Sequence, residues 1–167
     1  NGQDAMKYAK KLAEDNGVKT ALTFSDPAMV KYFKEPMVSV VGAGVDLLFC
    51  NEEEAMLYTD KDNLLEAQEA LKSSAKKFVI TLGEKGAIVF DGEAFIDIEP
   101  NKAQAIDTNG AGDLFAGAFM YAITNGKSFA DAGKLASMAS SKVVTQFGPR
   151  LKSSQAKEIL NELFVEA

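Results

Sequence analysis

"AIDTNGAGDLFAGAFMYAI", residues 105–123, decides how this chain is interpreted. A run of small, flexible residues that carries Asp107 and Asp113 stops abruptly at the ten apolar residues 114–123. An apolar run of this kind predicts a helix that is buried on all sides. The small residues before it predict a loop that leads directly into the N-terminus of that helix.

Predicted strands and helices alternate along the rest of the chain. The continuous apolar run at residues 47–50 is typical of a strand buried on both faces, and residues 78–82 predict a second buried strand. The alternation of residues 18–25 predicts another strand. Asp91-Gly92 predicts a hairpin between residues 87–90 and 94–98. Helical patterns cover residues 6–13, 29–33, 64–71, 129–144 and 154–164, and Asn51 is predicted to cap a further helix. We therefore predict one α/β domain over residues 1–167, a three-layer sandwich with a mostly parallel sheet plus a β-hairpin.

The composition excludes several classes of function. The chain has 167 residues, a net charge of −6 and a single arginine, Arg150, which weighs against nucleic acid as a partner. The absence of histidine from the sequence excludes Ser-His triads and histidine-ligated zinc. Cys50 is the only cysteine, so no internal disulfide can form, and no apolar run approaches the ~20 residues of a membrane span. We expect a cytoplasmic protein without a membrane partner.

The loop before the apolar run predicts an anion site. Gly110, Ala111 and Gly112 are small enough for a phosphate to approach the backbone closely, and their N–H groups precede a helix whose dipole favours an anion. Asp113, in the first turn, would sit beside such an anion. A carboxylate there can accept the proton of an attacking hydroxyl while a phosphoryl group leaves its donor.

A purely structural interpretation competes with this one. Aspartate before a helix is usually a cap, and glycine-rich turns usually only turn. Two other phosphate-binding loops are excluded by spacing. A Walker loop would need glycine at the position of Tyr121, five residues before Gly126, and a dinucleotide fingerprint would need glycine at the position of Phe115.

Three motifs in order resemble one family. Residues 107–113, DTNGAGD, followed by LFAGAFM, are similar to the C-terminal signature of the ribokinase/adenosine kinase (PfkB) family of carbohydrate kinases. Upstream, residues 51–54 (NEEE) fit the family's N-x-x-E element, and residues 81–86 (TLGEKG) fit its T-x-G-x-x-G loop.

The resemblance implies a role for each matching residue. Asp113 would be the catalytic base, and Gly110, Ala111 and Gly112 would form the anion hole around the γ-phosphate of ATP. The residues implied to lie along the nucleotide are Thr81, Gly83, Gly86, Asn109 and Gly112. The acceptor would be a hydroxyl of a sugar or a nucleoside. The sequence as a whole resembles the adenosine-kinase-like branch of the family more than its other branches.

The resemblance also implies cations. Asn51 and Glu54 would hold Mg²⁺, mainly through waters, and Asp107 is the third candidate metal residue. Some family members bind a monovalent cation such as K⁺ beside the anion hole. The matching positions here are Asp107 and backbone carbonyls near Val143, Gln146 and Gly148.

The resemblance covers only the C-terminal half of the family's fold. The N-terminal half, with the small β-sheet lid, has no counterpart in the sequence, and the resemblance leaves room for a homodimer formed through that lid. We therefore expect the chain by itself to have little or no kinase activity. The alternative is a non-catalytic nucleotide-binding or regulatory module of the same fold.

Overall fold

The structure is a computed structural model that describes residues 2–164. Its strands are β1 (Ala21–Thr23), β2 (Val45–Asn51), β3 (Ala75–Thr81), β4 (Ala87–Phe90) and β5 (Phe95–Ile98). Its α-helices are α1 (Gly2–Asp15), α2 (Pro27–Val41), α3 (Glu52–Thr59), α4 (Leu64–Leu71), α5 (Ala111–Thr124), α6 (Phe129–Val143) and α7 (Ser153–Phe164). The predicted alternation of strands and helices is confirmed.

The strands form a sheet in the order β1-β2-β3-β4-β5. Strand β2 pairs in parallel with both β1 and β3, and Leu48 lies opposite Leu22 on one side and Phe78 on the other. The short connection between β4 and β5 cannot be a parallel crossover. It is closed by Asp91, whose N–H donates to the carbonyl of Ala94 (3.2 Å). The α/β class, the mostly parallel sheet and the hairpin are as predicted.

The chain divides into two compact units. The first unit comprises the described residues up to Thr81 and Phe90–Ala94. Its core consists of apolar side chains from the central strands β2 and β3 and from the segments around them. Fully buried examples are Phe24, Val30, Leu48, Leu71, Phe78 and Ile80.

The second unit comprises Leu82–Val89 and the described residues from Phe95 onward. Helices α5 and α6 build its core around the fully buried Phe119, whose ring meets that of Phe129 edge-on at 5.4 Å. Helix α6 packs directly on β5, because a Cβ at Gly133 would overlap with the side chain of Ile98.

Three local predictions need correction. Helix α5 forms but is not buried on all sides: Phe115, Phe119 and Ala122 are buried, whereas Met120 and Tyr121 are 40% and 50% exposed. The apolar run therefore predicted the helix correctly, but its burial wrongly. Strand β1 is limited to Ala21–Thr23, the three residues that pair with β2, and is shorter than the predicted 18–25.

Helix α2 is longer than predicted and has a kink. Phe33 has non-helical angles (φ −127°, ψ 30°) inside it, three residues before Pro36. Proline lacks an N–H group and its ring clashes with the carbonyl four residues earlier, so the helix bends there instead of ending. Within residues 2–164, none of the helices has the length and apolar character that crossing a bilayer requires.

Candidate functional site

Asn51 and Glu54 are joined in a capping box at the start of α3. The Asn51 side chain accepts a hydrogen bond from the Glu54 N–H (2.8 Å). In return the Glu54 carboxylate accepts from the Asn51 N–H (2.9 Å) and from Asn51 Nδ2 (3.0 Å). The predicted capping role of Asn51 is confirmed. Each carboxylate oxygen keeps a lone pair that can still accept from a water.

The carboxylate of Glu54 is buried and close to other acidic side chains, which makes its negative charge unfavourable. The residue is only 3% exposed. Burial raises the pKa of its carboxyl group, and the nearby charges of Asp26 and Glu53 raise it further, against the hydrogen bond from the Asn51 N–H. A cation close to Glu54 would relieve this cost, and the chemistry of the residue therefore fits a metal nearby.

Few side chains among the described residues could ligate a metal together with this carboxylate. Within the part of the chain that the structure describes, no group of three or more acidic, cysteine or histidine side chains could hold a metal ion. Mg²⁺ retains several waters and commonly binds to proteins through one or two carboxylates together with substrate phosphates. Asn51 and Glu54 fit that kind of site, and they do not form a closed protein cage.

Thr81 lies beside Asn51 at the same edge of the sheet. The two residues are Cα partners at the carboxyl ends of the parallel strands β3 and β2. The Thr81 hydroxyl donates to the carbonyl of Cys50 at 3.5 Å, the limit of a hydrogen bond, so it can readily turn to another acceptor. In α/β sheets ligands bind at the carboxyl ends of the strands. The first unit therefore brings together Asn51, Glu54 and Thr81.

The loop after Thr81 contains the glycines predicted to lie along a nucleotide. It is closed by a hydrogen bond from the Leu82 N–H to the Gly86 carbonyl (2.8 Å). Gly86 has φ +93°, and a Cβ there would overlap with the carbonyl of Ile98, so packing alone requires glycine at this position. Gly83 has φ +61° and open space where a Cβ would be, which leaves its backbone accessible.

The predicted anion loop, Gly110, Ala111 and Gly112, leads into α5. Gly110 has φ 76° and caps the helix without a side chain. The N–H groups of Gly110, Gly112 and Asp113 have no acceptor among residues 2–164. The Ala111 N–H, by contrast, donates to the carbonyl of Thr108 (3.2 Å). The loop therefore offers unpaired amides at a helix N-terminus, but Ala111 could contribute only by giving up this hydrogen bond.

Asp107 fastens this loop to the segment that follows α6. One carboxylate oxygen accepts from the Asn109 N–H (3.0 Å) and the other from the Gly148 N–H (3.0 Å). Both bonds lower the pKa of the Asp107 carboxyl group, and the bond from Gly148 has the larger effect. Both oxygens are therefore already engaged by the protein, which gives Asp107 a structural role in the loop.

Two further residues hold the anion loop and were not identified from the sequence. Pro149 packs against Gly110, where a Cβ would lie 2.8 Å from the Cα of Pro149. Ser140, in α6, donates its hydroxyl to the carbonyl of Ala111 (3.0 Å). Both contacts join segments that are far apart in the sequence, and no local pattern indicates them.

Asp113 lies exposed in the first turn of α5. Its carboxylate makes no hydrogen bond or ion pair with any residue that the structure describes. The second unit therefore contains Asp107, Asn109, the three residues of the anion loop and Asp113 on one continuous segment, together with Gly83 and Gly86.

A sequence profile described as pfkB family carbohydrate kinase matches residues 2–156. Ribokinase from Lactococcus lactis subsp. lactis (strain IL1403) is 39% identical over 102 residues, which make up 59% of this chain and 34% of that protein.

Two crystal structures are similar over almost the whole chain. A probable sugar kinase from Rhizobium etli CFN 42 has a TM-score of 0.90 and 29% identity, covering 97% of this chain and 50% of that one. Adenosine kinase from Sinorhizobium meliloti has a TM-score of 0.89 and 31% identity, covering 96% of this chain and 50% of that one. The chain thus spans half the length of these two structures.

Proposed function

Because this chain belongs to the pfkB family of carbohydrate kinases, we propose that it serves to transfer the γ-phosphoryl group of ATP to a hydroxyl of a sugar or a nucleoside. The names of its relatives, ribokinase, probable sugar kinase and adenosine kinase, support this class of acceptor. The observation that carries the proposal is the exposed carboxylate of Asp113 next to the unpaired N–H groups of Gly110 and Gly112.

The proposed reaction is a direct displacement at phosphorus. The acceptor hydroxyl oxygen attacks the γ-phosphorus, the bond to the bridging oxygen breaks, and ADP leaves with that electron pair. Asp113 takes the proton of the hydroxyl. The N–H groups of Gly110 and Gly112 donate to oxygens of the transferring group, whose negative charge the N-terminus of α5 also favours. The Ala111 N–H joins them once its bond to Thr108 opens.

The remaining candidate residues are assigned to the nucleotide. We infer that the Thr81 hydroxyl and the accessible backbone of Gly83 contact ATP, with Asn109 and Gly112 near its phosphates. For Gly86 the role is indirect, since its close approach to Ile98 shapes the loop.

Asn51 and Glu54 would hold Mg²⁺ through its waters. When bound, this ion neutralises phosphate charge and helps to orient the nucleotide. Asp107 is the weaker candidate, because backbone hydrogen bonds already lower the pKa of its carboxyl group, whereas burial raises the pKa of Glu54 and leaves its charge in need of a cation. Its role beside a monovalent cation, together with carbonyls near Val143, Gln146 and Gly148, remains a prediction.

For the whole protein we propose a cytoplasmic location, correspondence of this chain to the C-terminal half of the family's fold, and a homodimer formed through the lid. We propose that the 167-residue polypeptide by itself gives little or no turnover, since it spans only half of each similar structure.

The test measures ADP release by the full-length natural protein with ATP, Mg²⁺ and a panel of sugars and nucleosides. Asp113→Asn should lower kcat by about 10³-fold while ATP binding is retained, because the base is lost and the fold is not. Asp131→Asn is the matched control: Asp131 also lies in the first turn of a helix, α6, and accepts its hydrogen bond from Ser128 there.

Two results would contradict the proposal. Turnover of Asp113→Asn equal to that of the wild type would remove the base from the mechanism. Binding of ATP without transfer to any acceptor would favour the alternative of a non-catalytic nucleotide-binding module.

A further inference from the structure

The peptide group between Ala111 and Gly112 is held at one end only. Its carbonyl oxygen, on Ala111, accepts the hydroxyl of Ser140 at 3.0 Å. Its N–H, on Gly112, has no acceptor within residues 2–164. Because a trans peptide is planar, with C=O and N–H pointing in opposite directions, an anchor on the oxygen fixes the direction of the N–H. Ala111 is the first residue of α5, so its carbonyl also accepts the first-turn hydrogen bond of that helix, and the Ser140 hydroxyl adds a second anchor from α6 to the same oxygen. Together the two bonds aim an unpaired donor.

The hydrogen bond of Ser140 differs from that of its neighbour. Serines inside helices commonly donate back to a carbonyl one turn earlier. Ser141 does so, with its hydroxyl 2.8 Å from the carbonyl of Met138. Ser140 instead reaches the first residue of α5, 29 positions away in the sequence. The contact thus joins two helices and is not a local feature of α6.

The anchored peptide needs such support. It joins Ala111 to Gly112 in the first turn of α5, directly after Gly110, which is in the left-handed region; a Cβ at Gly112 would find nothing within 4 Å. Glycine restrains the backbone less than any other residue, so this first turn gains rigidity from an anchor outside it. Helix α6 supplies a rigid base, since Ala139 and Val143 on either side of Ser140 are buried. A hydrogen bond accepted by a carbonyl also polarises the peptide and strengthens its N–H as a donor.

We propose that Ser140 is a positioning residue of the phosphoryl-transfer site: its hydroxyl orients and polarises the Ala111–Gly112 peptide so that the Gly112 N–H donates to the transferring phosphoryl group. This inference rests on the proposed function. Since the N–H is needed most where negative charge develops, the loss of the hydroxyl lowers kcat more than it weakens ATP binding.

The test compares three variants of the full-length natural protein in the ADP-release assay. Ser140→Ala is expected to lower kcat about tenfold, the value of one ordinary hydrogen bond, with the KM for ATP changed less than about twofold. Ser140→Thr keeps a hydroxyl and is expected to restore kcat. Ser141→Ala, in the same turn of α6, is the matched control: it removes a hydroxyl that contacts Met138 and Asn101 but not the residues before Asp113, and its kcat should be that of the wild type.

A second measurement does not depend on turnover. In protein labelled with ¹³C at alanine carbonyls and ¹⁵N at glycine, the NMR signal that joins Ala111 and Gly112 is followed on addition of ADP and aluminium fluoride, a mimic of the transferring group. We expect the Ala111 carbonyl signal to move upfield in Ser140→Ala and to stay in place in Ser140→Thr. The Gly112 amide should respond to the mimic less in Ser140→Ala than in the wild type.

The outcomes separate this inference from the proposed function. If Asp113→Asn is inactive but Ser140→Ala keeps the kcat of the wild type, the inference is wrong and the function stands. If no acceptor is phosphorylated, the function fails, and an unchanged response of Gly112 in Ser140→Ala then overturns the inference as well. Failure of Ser140→Thr to restore kcat would also overturn it, because the hydroxyl would not be the group that matters.

Discussion

Asp46 fastens the beginning of β2 to both of its neighbours. Its carboxylate accepts from the Thr20 N–H (2.9 Å), just before β1, and from Lys76 Nζ (2.9 Å) in β3. The bond from Thr20, together with the hydrogen bond and charge of Lys76, lowers the pKa of Asp46 to about 2. A carboxyl group whose pKa is depressed in the folded state stabilises the fold when ionised.

Acid should therefore remove this stabilisation. It is complete above the ordinary carboxyl pKa and is lost as the pH falls from about 4 to about 2. Asp46→Asn should lower the free energy of unfolding by about 1–3 kcal/mol near neutral pH, and by less at the acid end of that window. Urea unfolding of the wild type and of Asp46→Asn, near neutral pH and at about pH 2, measures the difference in the free energy of unfolding. Asp97→Asn, on an exposed position of β5, is the control; an equal loss at both pH values would contradict the assignment.

Gly110 and Gly112 allow structural and functional needs for glycine to be separated. Gly110 has φ +76° and lies against Pro149, whereas Gly112 has open space where a Cβ would be. Gly110→Ala should therefore cost about 1–3 kcal/mol of stability through backbone strain and overlap. Gly112→Ala should leave the Tm unchanged or higher, since alanine favours a helix, yet lower kcat because its methyl group obstructs the phosphate.

Thermal unfolding and the ADP-release assay, applied to both variants, test this separation. The prediction is wrong if Gly112→Ala lowers the Tm as much as Gly110→Ala does. It is also wrong if Gly112→Ala turns over ATP like the wild type, because the phosphate would then not approach this part of the loop.

Helices α3 and α4 have similar N-caps but differ in their proposed relation to the metal. Asn51 caps α3 and Asn63 caps α4, each accepting from the N–H of a glutamate three residues later. Replacing either asparagine by alanine should lower stability by about 1–2 kcal/mol, the usual cost of losing an N-cap. Only Asn51→Ala should also raise the Mg²⁺ concentration needed for half-maximal turnover, because Asn51, unlike Asn63, is assigned to the metal.

The measurement is a Mg²⁺ titration of ADP release for both variants after their stabilities have been compared. An equal Mg²⁺ requirement in Asn51→Ala and Asn63→Ala would reduce Asn51 to a helix cap. The burial and acidic neighbours of Glu54 would then need another explanation.

Elements with strong local signals were predicted well from the sequence. Helix α4 begins and ends as predicted, at Leu64 and Leu71, because its apolar period and its cap coincide. The buried strands β2 and β3 followed from their apolar runs. The exposure of Tyr121 on α5 was not predictable, since hydropathy shows which residues could be buried and not which neighbours cover them.

The candidate site residues came from two sources. Local patterns indicated Asn51 as a cap and the glycine-rich loop before Asp113, whereas Glu54 was indicated only by the resemblance to the family. Neither source could show that the Ala111 N–H is already bonded to Thr108, or that Ser140 holds the Ala111 carbonyl. Those facts depend on backbone angles and on contacts between distant segments, which a single sequence does not record.

The charge of the whole chain opposes the proposed substrate. The net charge is −6, and ATP is itself strongly negative, so long-range electrostatics repel the nucleotide before any local contact forms. Binding must then depend on the short-range amides of the anion loop and on Mg²⁺. At an ionic strength of about 0.1 M, salt largely screens the repulsion between exposed charges that are more than about 10 Å apart.

Added salt should consequently leave the association rate of Mg²⁺–ATP unchanged or increase it. Stopped-flow binding in tetramethylammonium chloride measures this rate without supplying a cation that could occupy a potassium site. A steep decrease of the rate with salt would contradict the prediction, and would indicate a positive surface that steers the nucleotide.

The 167-residue polypeptide alone should bind ATP without transferring its phosphoryl group. The 167 residues include the proposed base and anion loop but span only half of the similar adenosine kinase structure. Positioning of two reactants supplies roughly 7–11 kcal/mol of a barrier, so a base without a positioned acceptor should catalyse very little. We expect calorimetry to show binding of ATP by this polypeptide, and the ADP-release assay to give no transfer to adenosine or ribose. Adenosine kinase from Sinorhizobium meliloti is the positive control, and transfer at a comparable rate by these residues alone, abolished by Asp113→Asn, would show that they also position the acceptor.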